Sequence, residues 1–261
     1  MIGGASMDEQ VTGAAAPALN IDGAVATITL RRPAQANRLE PDDLGVLAEH
    51  IDTVNRSGEV LVLRLQSSGR YFCSGYDIER IGSARKVGFD EMTDALEDAR
   101  PVTIAVLQGG VYGGATDMAL ACDFRIATHG VDMFMPAARL GLHFYPRGLE
   151  RYVSRLGVDA AKRLFLTAER IGADDMKAIG FLTHLVAAAE LRPTADRLTA
   201  ILAGMAPIAL LGMKKHLNRI ARGALDLPEL LRDVDRAAKS ADILEGKAAW
   251  REKRAPRFTG K

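Results

Sequence analysis

Two nearly continuous apolar runs constrain the fold of this chain more than any other feature of its sequence. They read VLVLRL at residues 60–65 and VTIAVL at residues 102–107, and a glycine-rich turn follows each of them. Runs of this length and apolar character are typical of strands buried on both faces, as in a parallel sheet. Because a helical stretch separates the two runs, they form a strand-helix-strand unit and predict an α/β fold.

The rest of the pattern divides into a sheet-forming part before about residue 145 and a mostly helical part after it. Further sheet-forming segments are predicted at 19–30, with an Asp22-Gly23 turn, and at 123–127. Apolar spacing predicts helices at 42–56, 116–121, 194–222 and 227–254. We therefore expect a disordered tail at 1–17, an α/β core at 18–200 and a helical extension at 201–261.

Charge and composition exclude several classes of function. The 34 Lys and Arg residues nearly balance the 33 Asp and Glu residues, which argues against a general attraction to nucleic acid or to anionic membranes. No apolar run reaches the roughly 18 residues that a membrane helix needs, and the N-terminal segment has no signal-peptide pattern. Neither the two cysteines nor the five histidines have metal-ligand spacing. We expect a cytoplasmic protein without a bound metal.

Two glycine-rich turns are the strongest functional signal from residue spacing. Gly109-Gly110 and Gly113-Gly114 lie between the second apolar run and a predicted helix, and Ser74-Gly75-Tyr76-Asp77 lies after the first run. The carboxyl ends of parallel strands meet at one edge of a sheet, where ligands of α/β proteins bind. One backbone N–H group from each turn could then point at a single oxygen atom. The alternative is a tight turn that packs the helix on the sheet.

Several motifs in order along residues 19–261 resemble the crotonase superfamily, the enoyl-CoA hydratase/isomerase family. They are Arg32-Pro33 with Asn37, residues 71–78, residues 101–105, Gly113-Gly114, residues 121–123, residues 172–182 and residues 252–258. The resemblance implies a spiral of ββα units with a C-terminal helical region that packs in trimers, often paired into hexamers. It also implies an acyl-CoA thioester as substrate, bound and activated through an enolate, with no cofactor besides the coenzyme A of the substrate.

The same resemblance assigns roles to residues of the two turns. The N–H groups of Tyr76 and Gly114 take the positions of the family's oxyanion hole, which stabilises the enolate oxygen. The expected substrate-binding residues are Ser74, Gly75, Asp77, Ile78 and Gly113.

The acid and base residues are where the sequence departs from the family. Hydratases of the family hold a water between two glutamates; the first falls at Asp117 and the second at Ala137, which cannot move a proton. Tyr145 falls where other members carry a catalytic aspartate, and His143 lies close by, so both are candidate acid/base groups. The alternatives are that Asp117 only complements the helix dipole and that His143 and Tyr145 are packed side chains.

These features predict an enoyl-CoA hydratase of fatty-acid or related acyl-CoA metabolism, acting as a homotrimer or a dimer of trimers. Because Ala137 replaces the second glutamate, the runner-up is an enoyl-CoA isomerase or another reaction that needs one acid. A member that binds acyl-CoA without catalysis is a further alternative. RNA binding, which occurs in one branch of the family, has no support in a near-neutral chain.

Overall fold

The computed structural model describes residues 15–80 and 86–261. Its strands are β1 (Ala15–Asp22), β2 (Val25–Arg31), β3 (Val62–Ser67), β4 (Val102–Leu107), β5 (Val111–Tyr112), β6 (Phe124–Thr128), β7 (Asp132–Phe134), β8 (Ile171–Gly172) and β9 (His184–Val186). Its α-helices are α1 (Pro41–Arg56), α2 (Phe89–Glu97), α3 (Gly114–Ala121), α4 (Pro146–Leu156), α5 (Val158–Thr167), α6 (Ala173–Ala178), α7 (Leu191–Ala203), α8 (Pro207–Ala221), α9 (Leu227–Ala238) and α10 (Ala241–Glu252).

A six-stranded sheet in the order β1-β2-β3-β4-β6-β9 forms the centre of the fold. Only the first pair, the β1–β2 hairpin, is antiparallel; each later pair in that order is parallel. The two apolar runs therefore lie side by side as β3 and β4, which confirms the predicted α/β fold. A second, three-stranded sheet has the order β5-β7-β8.

Side chains of the central strands alternate between two apolar layers. Leu63 and Leu65 pack into the larger layer with α1, α2 and α3, whereas Val62 packs into the layer that α7 covers. On β4, Ala105 and Ile104 divide in the same way. Successive side chains of a strand point to opposite faces, so a run that is apolar at nearly every position needs a cover on both faces.

Helix α1 shows how local sequence sets an element that supports the site. Glu40 and Asp43 form a reciprocal capping box at its start, and Pro41 occupies the first turn. The carboxylate of Asp43 also accepts hydrogen bonds from the guanidinium group of Arg32 at 3.1 and 2.8 Å. The helix predicted at 42–56 is thereby confirmed, with a start at Pro41.

The sequence predicts two long C-terminal helices, and this prediction is wrong because each of them is divided into two shorter helices. The stretch 194–222 is two helices, α7 and α8, that meet at 110° because Pro207 begins a new helix and cannot continue the previous one. The stretch 227–254 is also divided, since the Ser240 hydroxyl accepts a hydrogen bond from Ile243 N at 3.3 Å and caps α10.

The expected domain limits fall inside elements of the fold. Strand β1 begins at Ala15, so the predicted tail at 1–17 overlaps it by three residues; residues 1–14 lie outside the described residues. The limit between 200 and 201 falls within α7. In the described part of the chain, no single helix has the length and apolar character to cross a membrane. One pair, Ala188–Ala203 with α8, has them only when the two segments are taken together, and this pair is sharply bent.

Large apolar side chains remain exposed on the C-terminal helices. They include Met213, Leu217, Ile220, Leu227, Leu231, Val234, Leu244 and Trp250, and Trp250 is 86% exposed. We refer to these eight residues as the C-terminal apolar residues. Soluble monomers rarely expose so many large apolar side chains within one short region.

Candidate active site

The two glycine-rich turns lie against each other, as the sequence predicts. Phe72 N donates to Gly110 O at 3.1 Å, and Tyr112 N donates to Cys73 O at 3.0 Å. A Cβ atom added to Gly75 would lie 2.7 Å from Tyr112 O and 3.1 Å from Gly114 N. Gly75 has a φ of +95°, so its backbone conformation and its surroundings both require glycine.

Helix α3 begins at the point where the turns meet. Gly113, with a φ of +55°, precedes the helix, and its N–H group donates to Phe134 O at 3.0 Å. Gly114 is the first residue of α3, so its N–H group has no acceptor within that helix. On the other turn, Asp77 N donates to Leu39 O at 3.0 Å, which fixes the backbone on the far side of Tyr76.

A cavity of about 320 Å³ opens beside the paired turns. Its lining is mainly apolar and includes Ile78, Phe89, Phe134, Met135, Ala137, Leu140, Leu142 and Phe144. The predicted site residues in the lining are Ser74, Gly75, Tyr76, Ile78, Gly113, Gly114, His143 and Tyr145. A concave apolar site with a few converging polar groups is the usual form of a small-molecule site.

A larger cavity, of about 960 Å³, lies between α8, α9 and the loops at 58–61 and 97–100. None of the predicted site residues lines it. We assign the candidate active site to the smaller cavity because the two turns and the N-terminus of α3 converge there.

Two predicted residues are not among the lining residues of the 320 Å³ cavity. Asp77 is 5% exposed; its Oδ1 accepts from Glu79 N at 3.2 Å and its Oδ2 lies 3.5 Å from Arg38. Its carboxylate thus holds the backbone of the turn. Asp117 is fully buried on α3, and Tyr145 stands between it and the cavity.

The contacts of Asp117 form the most unusual feature of the site. Its Oδ2 atom accepts a hydrogen bond from the Tyr145 hydroxyl and another from Arg151, whose Nη1 lies 2.5 Å away. Its Oδ1 atom is buried and has no hydrogen-bond partner among residues 15–80 and 86–261. Buried polar atoms without partners are rare in proteins and often mark functional sites.

Arg151, which the sequence analysis did not single out, is the centre of a buried charge cluster. Besides Asp117, its guanidinium group lies 2.7 Å from Asp94 Oδ1 and 3.1 Å from Glu97 Oε1 on α2. Arg147 and Arg155, four residues to either side on α4, also contact Glu97, at 2.9 and 3.3 Å. This four-residue spacing places three arginines on one helix face and is the sequence signal that could have revealed the cluster.

Burial and charge shift the pKa values of this cluster in different directions. Burial disfavours ionisation of Glu97, yet the guanidinium groups around it, Arg151 first, outweigh burial and lower its pKa. At Asp94, burial prevails over the arginines and raises the pKa. Burial, followed by the negative charge of Asp117, strongly raises the pKa of Tyr145, so its phenol stays protonated.

The remaining polar groups of the cavity differ in exposure. His143 is exposed, and its Nδ1 donates to Phe144 O at 2.8 Å, which leaves Nε2 to meet a ligand. Asp90, on the first turn of α2, lines the cavity and was not among the predicted residues. Ala137, the position to which the sequence resemblance assigns the second glutamate of hydratases, lines the cavity and is buried. In the described part of the chain, no group of three or more His, Cys, Asp or Glu side chains could hold a metal ion.

Comparisons with known proteins agree with this fold. The sequence model of the enoyl-CoA hydratase/isomerase family matches residues 20–261. The short-chain-enoyl-CoA hydratase of Clostridium acetobutylicum is 31% identical over 209 residues, which cover 77% of this chain and 80% of the relative. The carnitinyl-CoA dehydratase of Proteus mirabilis is 27% identical over 259 residues, covering 93% of this chain and 98% of the relative.

Among solved structures, an enoyl-CoA hydratase from Bacillus anthracis superposes with a TM-score of 0.84 at 28% identity, covering 94% of this chain and 99% of that one. The architecture is therefore the crotonase fold, as the sequence resemblance predicts. The chain belongs to the enoyl-CoA hydratase/isomerase family.

Proposed function

We propose that the protein acts on an acyl-CoA thioester and stabilises its enolate between the N–H groups of Tyr76 and Gly114. The observation that carries the proposal is the close approach of the two glycine turns beside the 320 Å³ cavity, where Gly75 allows contact with Gly114 N. Fixed N–H donors of this kind are each worth about 3 kcal/mol of transition-state stabilisation.

Coenzyme A is proposed to run along residues 74–78, with the acyl group in the cavity. Ser74, Gly75 and Ile78 line the cavity, and Ile78 is 56% exposed, so apolar surface is available at its mouth. Asp77 supports the backbone of this segment through Glu79 N. The mainly apolar lining favours an acyl chain without charged groups.

Among the reactions expected for this family, the geometry favours the migration of a double bond between 3-enoyl-CoA and 2-enoyl-CoA. Hydration needs two groups that hold a water and exchange its protons, and Ala137 removes one of them. Migration of a double bond needs one group that takes a proton from one carbon and returns it to another. Tyr145, in contact with Asp117, is such a group.

The test is to offer purified protein a 3-enoyl-CoA and a 2-enoyl-CoA and to follow the absorbance of the conjugated enoyl thioester. Isomerisation increases this absorbance with the 3-enoyl substrate, whereas hydration decreases it with the 2-enoyl substrate. If the protein hydrates the 2-enoyl substrate and does not isomerise the 3-enoyl substrate, another group must take the role of the missing second glutamate. No change with either substrate, together with tight acyl-CoA binding by calorimetry, would instead identify a member that binds without catalysis.

We also propose that the protein assembles as a homotrimer, alone or paired into a hexamer, through its C-terminal helices. The exposed C-terminal apolar residues support this assembly because an oligomer would cover them. Sedimentation velocity should give the mass of a trimer or a hexamer. Leu217→Glu and Leu244→Glu, at side chains 65% and 67% exposed, should shift the sedimentation toward the monomer. A monomeric wild-type protein would refute the proposed assembly.

A further inference from the structure

The position of Tyr145 between Asp117 and the cavity determines which atom can reach a substrate. Tyr145 lines the cavity, whereas Asp117 is not among its lining residues and has no exposed surface. The Tyr145 hydroxyl donates its proton to Asp117 Oδ2. The Tyr145 side chain also has a hydrogen-bond contact with Thr93. Because Tyr145 lines the cavity and Asp117 does not, Tyr145 is the member of this pair that lies next to a bound acyl group.

The charge cluster explains how Asp117 can take part while remaining buried. Arg151 has no exposed surface and is held by carboxylates on two helices, Asp94 and Glu97 on α2 and Asp117 on α3. A buried carboxylate without a positive partner would take up a proton and lose its capacity to accept another. Arg151 supplies that positive partner to Asp117 and fixes the direction of Oδ2 toward Tyr145.

We propose that Tyr145 and Asp117 form a two-residue proton relay, in which Tyr145 is the catalytic residue and Asp117 and Arg151 are positioning residues. This inference rests on the proposed function. It differs from direct proton transfer to the carboxylate at position 117, because the phenolic oxygen of Tyr145 is the atom that meets the acyl group.

The relay balances as follows for migration of a double bond. The α-carbon–hydrogen bond breaks, its proton bonds to Tyr145 Oη, and the phenolic proton moves to Asp117 Oδ2. The electron pair of the broken bond moves into the enolate, whose oxygen lies between the N–H groups of Tyr76 and Gly114. In the return step Tyr145 gives its proton to the γ-carbon and recovers the proton held by Asp117. Tyr145 is neutral before and after each step.

The relay can be measured without a complete turnover. Butanoyl-CoA and octanoyl-CoA, which have no double bond to move, should exchange α-hydrogen for deuterium when wild-type protein is incubated with them in D₂O. Exchange is read by NMR or mass spectrometry. Tyr145→Phe and Asp117→Asn should each lower the exchange rate by about 100-fold or more, the usual effect of removing a general acid or base.

Two groups that act as a single unit lose their function when either is removed. The double variant Tyr145→Phe/Asp117→Asn should therefore exchange within about threefold of either single variant, whereas independent contributions would multiply. Tyr152→Phe is the matched control, because Tyr152 is a tyrosine within α4, seven residues after Tyr145, that is fully buried, contacts Thr116 Oγ1 at 2.5 Å and is not among the lining residues of the cavity. It should exchange at close to the wild-type rate.

The role of Arg151 needs a measurement that a purely structural role would leave unchanged. Arg151→Lys retains the charge and should keep more of kcat than Arg151→Met, while KM for the acyl-CoA stays within about threefold in both. If Arg151→Met does not fold, the Tyr145 and Asp117 variants still decide the proposal.

Three outcomes would overturn the relay. If the Tyr145→Phe variant exchanges α-hydrogen at the wild-type rate, the relay is overturned, whereas the proposed function is not affected. Loss of exchange in Asp90→Asn with retention in Tyr145→Phe assigns the proton transfer to Asp90, the carboxylate that lines the cavity on α2. A wild-type protein that neither exchanges α-hydrogen nor converts an enoyl-CoA overturns both the relay and the proposed function.

Discussion

Arg151 and Asp117 form an ion pair in which neither side chain has exposed surface and Nη1 lies 2.5 Å from Oδ2. Ionised groups are expensive to remove from water, and this pair is retained because other charges surround it. Asp94 and Glu97 share the same guanidinium group, so Arg151 connects α2, α3 and α4 through charge. The contact thus has consequences for stability as well as for the proposed chemistry.

Replacing Arg151 with Met should destabilise the protein by about 3–5 kcal/mol, the usual cost of leaving a buried charge without its partner. The free energy of unfolding in urea measures this change. Arg147→Met is the matched control, because Arg147 is on the same helix and contacts Glu97 but is 24% exposed, and about 1 kcal/mol is expected. Equal losses in the two variants would show that the buried position of Arg151 gives it no special weight.

Acid should weaken the fold partly through Glu97. Its pKa is lowered from the ordinary value of 4.5, because the guanidinium groups of Arg151, Arg155 and Arg147 prevail over burial. A group with a lowered pKa in the folded state contributes stability above its unfolded pKa and loses that contribution as the pH falls through the folded value. Wild-type protein should therefore lose more unfolding free energy than Glu97→Gln between neutral pH and about pH 3. Parallel pH profiles for the two proteins would contradict this assignment.

Gly75→Ala should reduce both activity and stability. The added methyl group would lie 2.7 Å from Tyr112 O, and the positive φ disfavours any side chain. The turns must then separate, and about 100-fold or more of kcat should be lost with the alignment of one of the two proposed oxyanion donors. Gly45→Ala is the control: Gly45 lies within α1 with open space around its added Cβ, and the change should stabilise the helix by about 0.5–1 kcal/mol. Full activity in Gly75→Ala would separate this turn from the reaction.

The two cysteines should be unreactive until the protein unfolds. Burial raises the pKa of each thiol to about 12, so almost no thiolate is present at pH 8. Titration with a chromogenic disulfide should detect no fast-reacting thiol in native protein and two thiols in denaturant. Rapid modification of native protein would show that the loops around Cys73 or Cys122 open readily.

The central sheet and the meeting of the two turns could be predicted because each depends on local signals and on a general rule of parallel sheets. The two apolar runs predict the buried strands β3 and β4, which pair in the structure. Because the carboxyl ends of parallel strands share one edge, the turns that carry Gly75 and Gly114 could be expected to lie close together, as they do. The break before α8 also had a signal, since Pro207 is visible in the sequence. The apolar residues on both sides of Pro207 have helical spacing, and this pattern favours one continuous helix over the break.

The partners of Asp117 could not be predicted in the same way. Tyr145 and Arg151 lie 28 and 34 residues further along the chain, and their contact depends on how α4 packs against α2 and α3. No pattern within one helix reports that packing. The spacing of Arg147, Arg151 and Arg155 is enough to place them on a common helix face, but only the fold shows that the carboxylates of α2 and α3 face it.

Because the Arg151 guanidinium group is already paired with three carboxylates, it also limits how the reaction could be redesigned. Introducing glutamate at Ala137, the residue that the sequence resemblance assigns to this position in hydratases, would place a new carboxylate at a position only 2% exposed. Arg151 already shares its guanidinium group among three carboxylates, and His143 is the one lining residue within 15–80 and 86–261 that can become cationic. The new side chain would bind a proton instead of ionising. A gain of water addition at this site therefore requires a second substitution that supplies a positive charge or a hydrogen-bond donor beside residue 137.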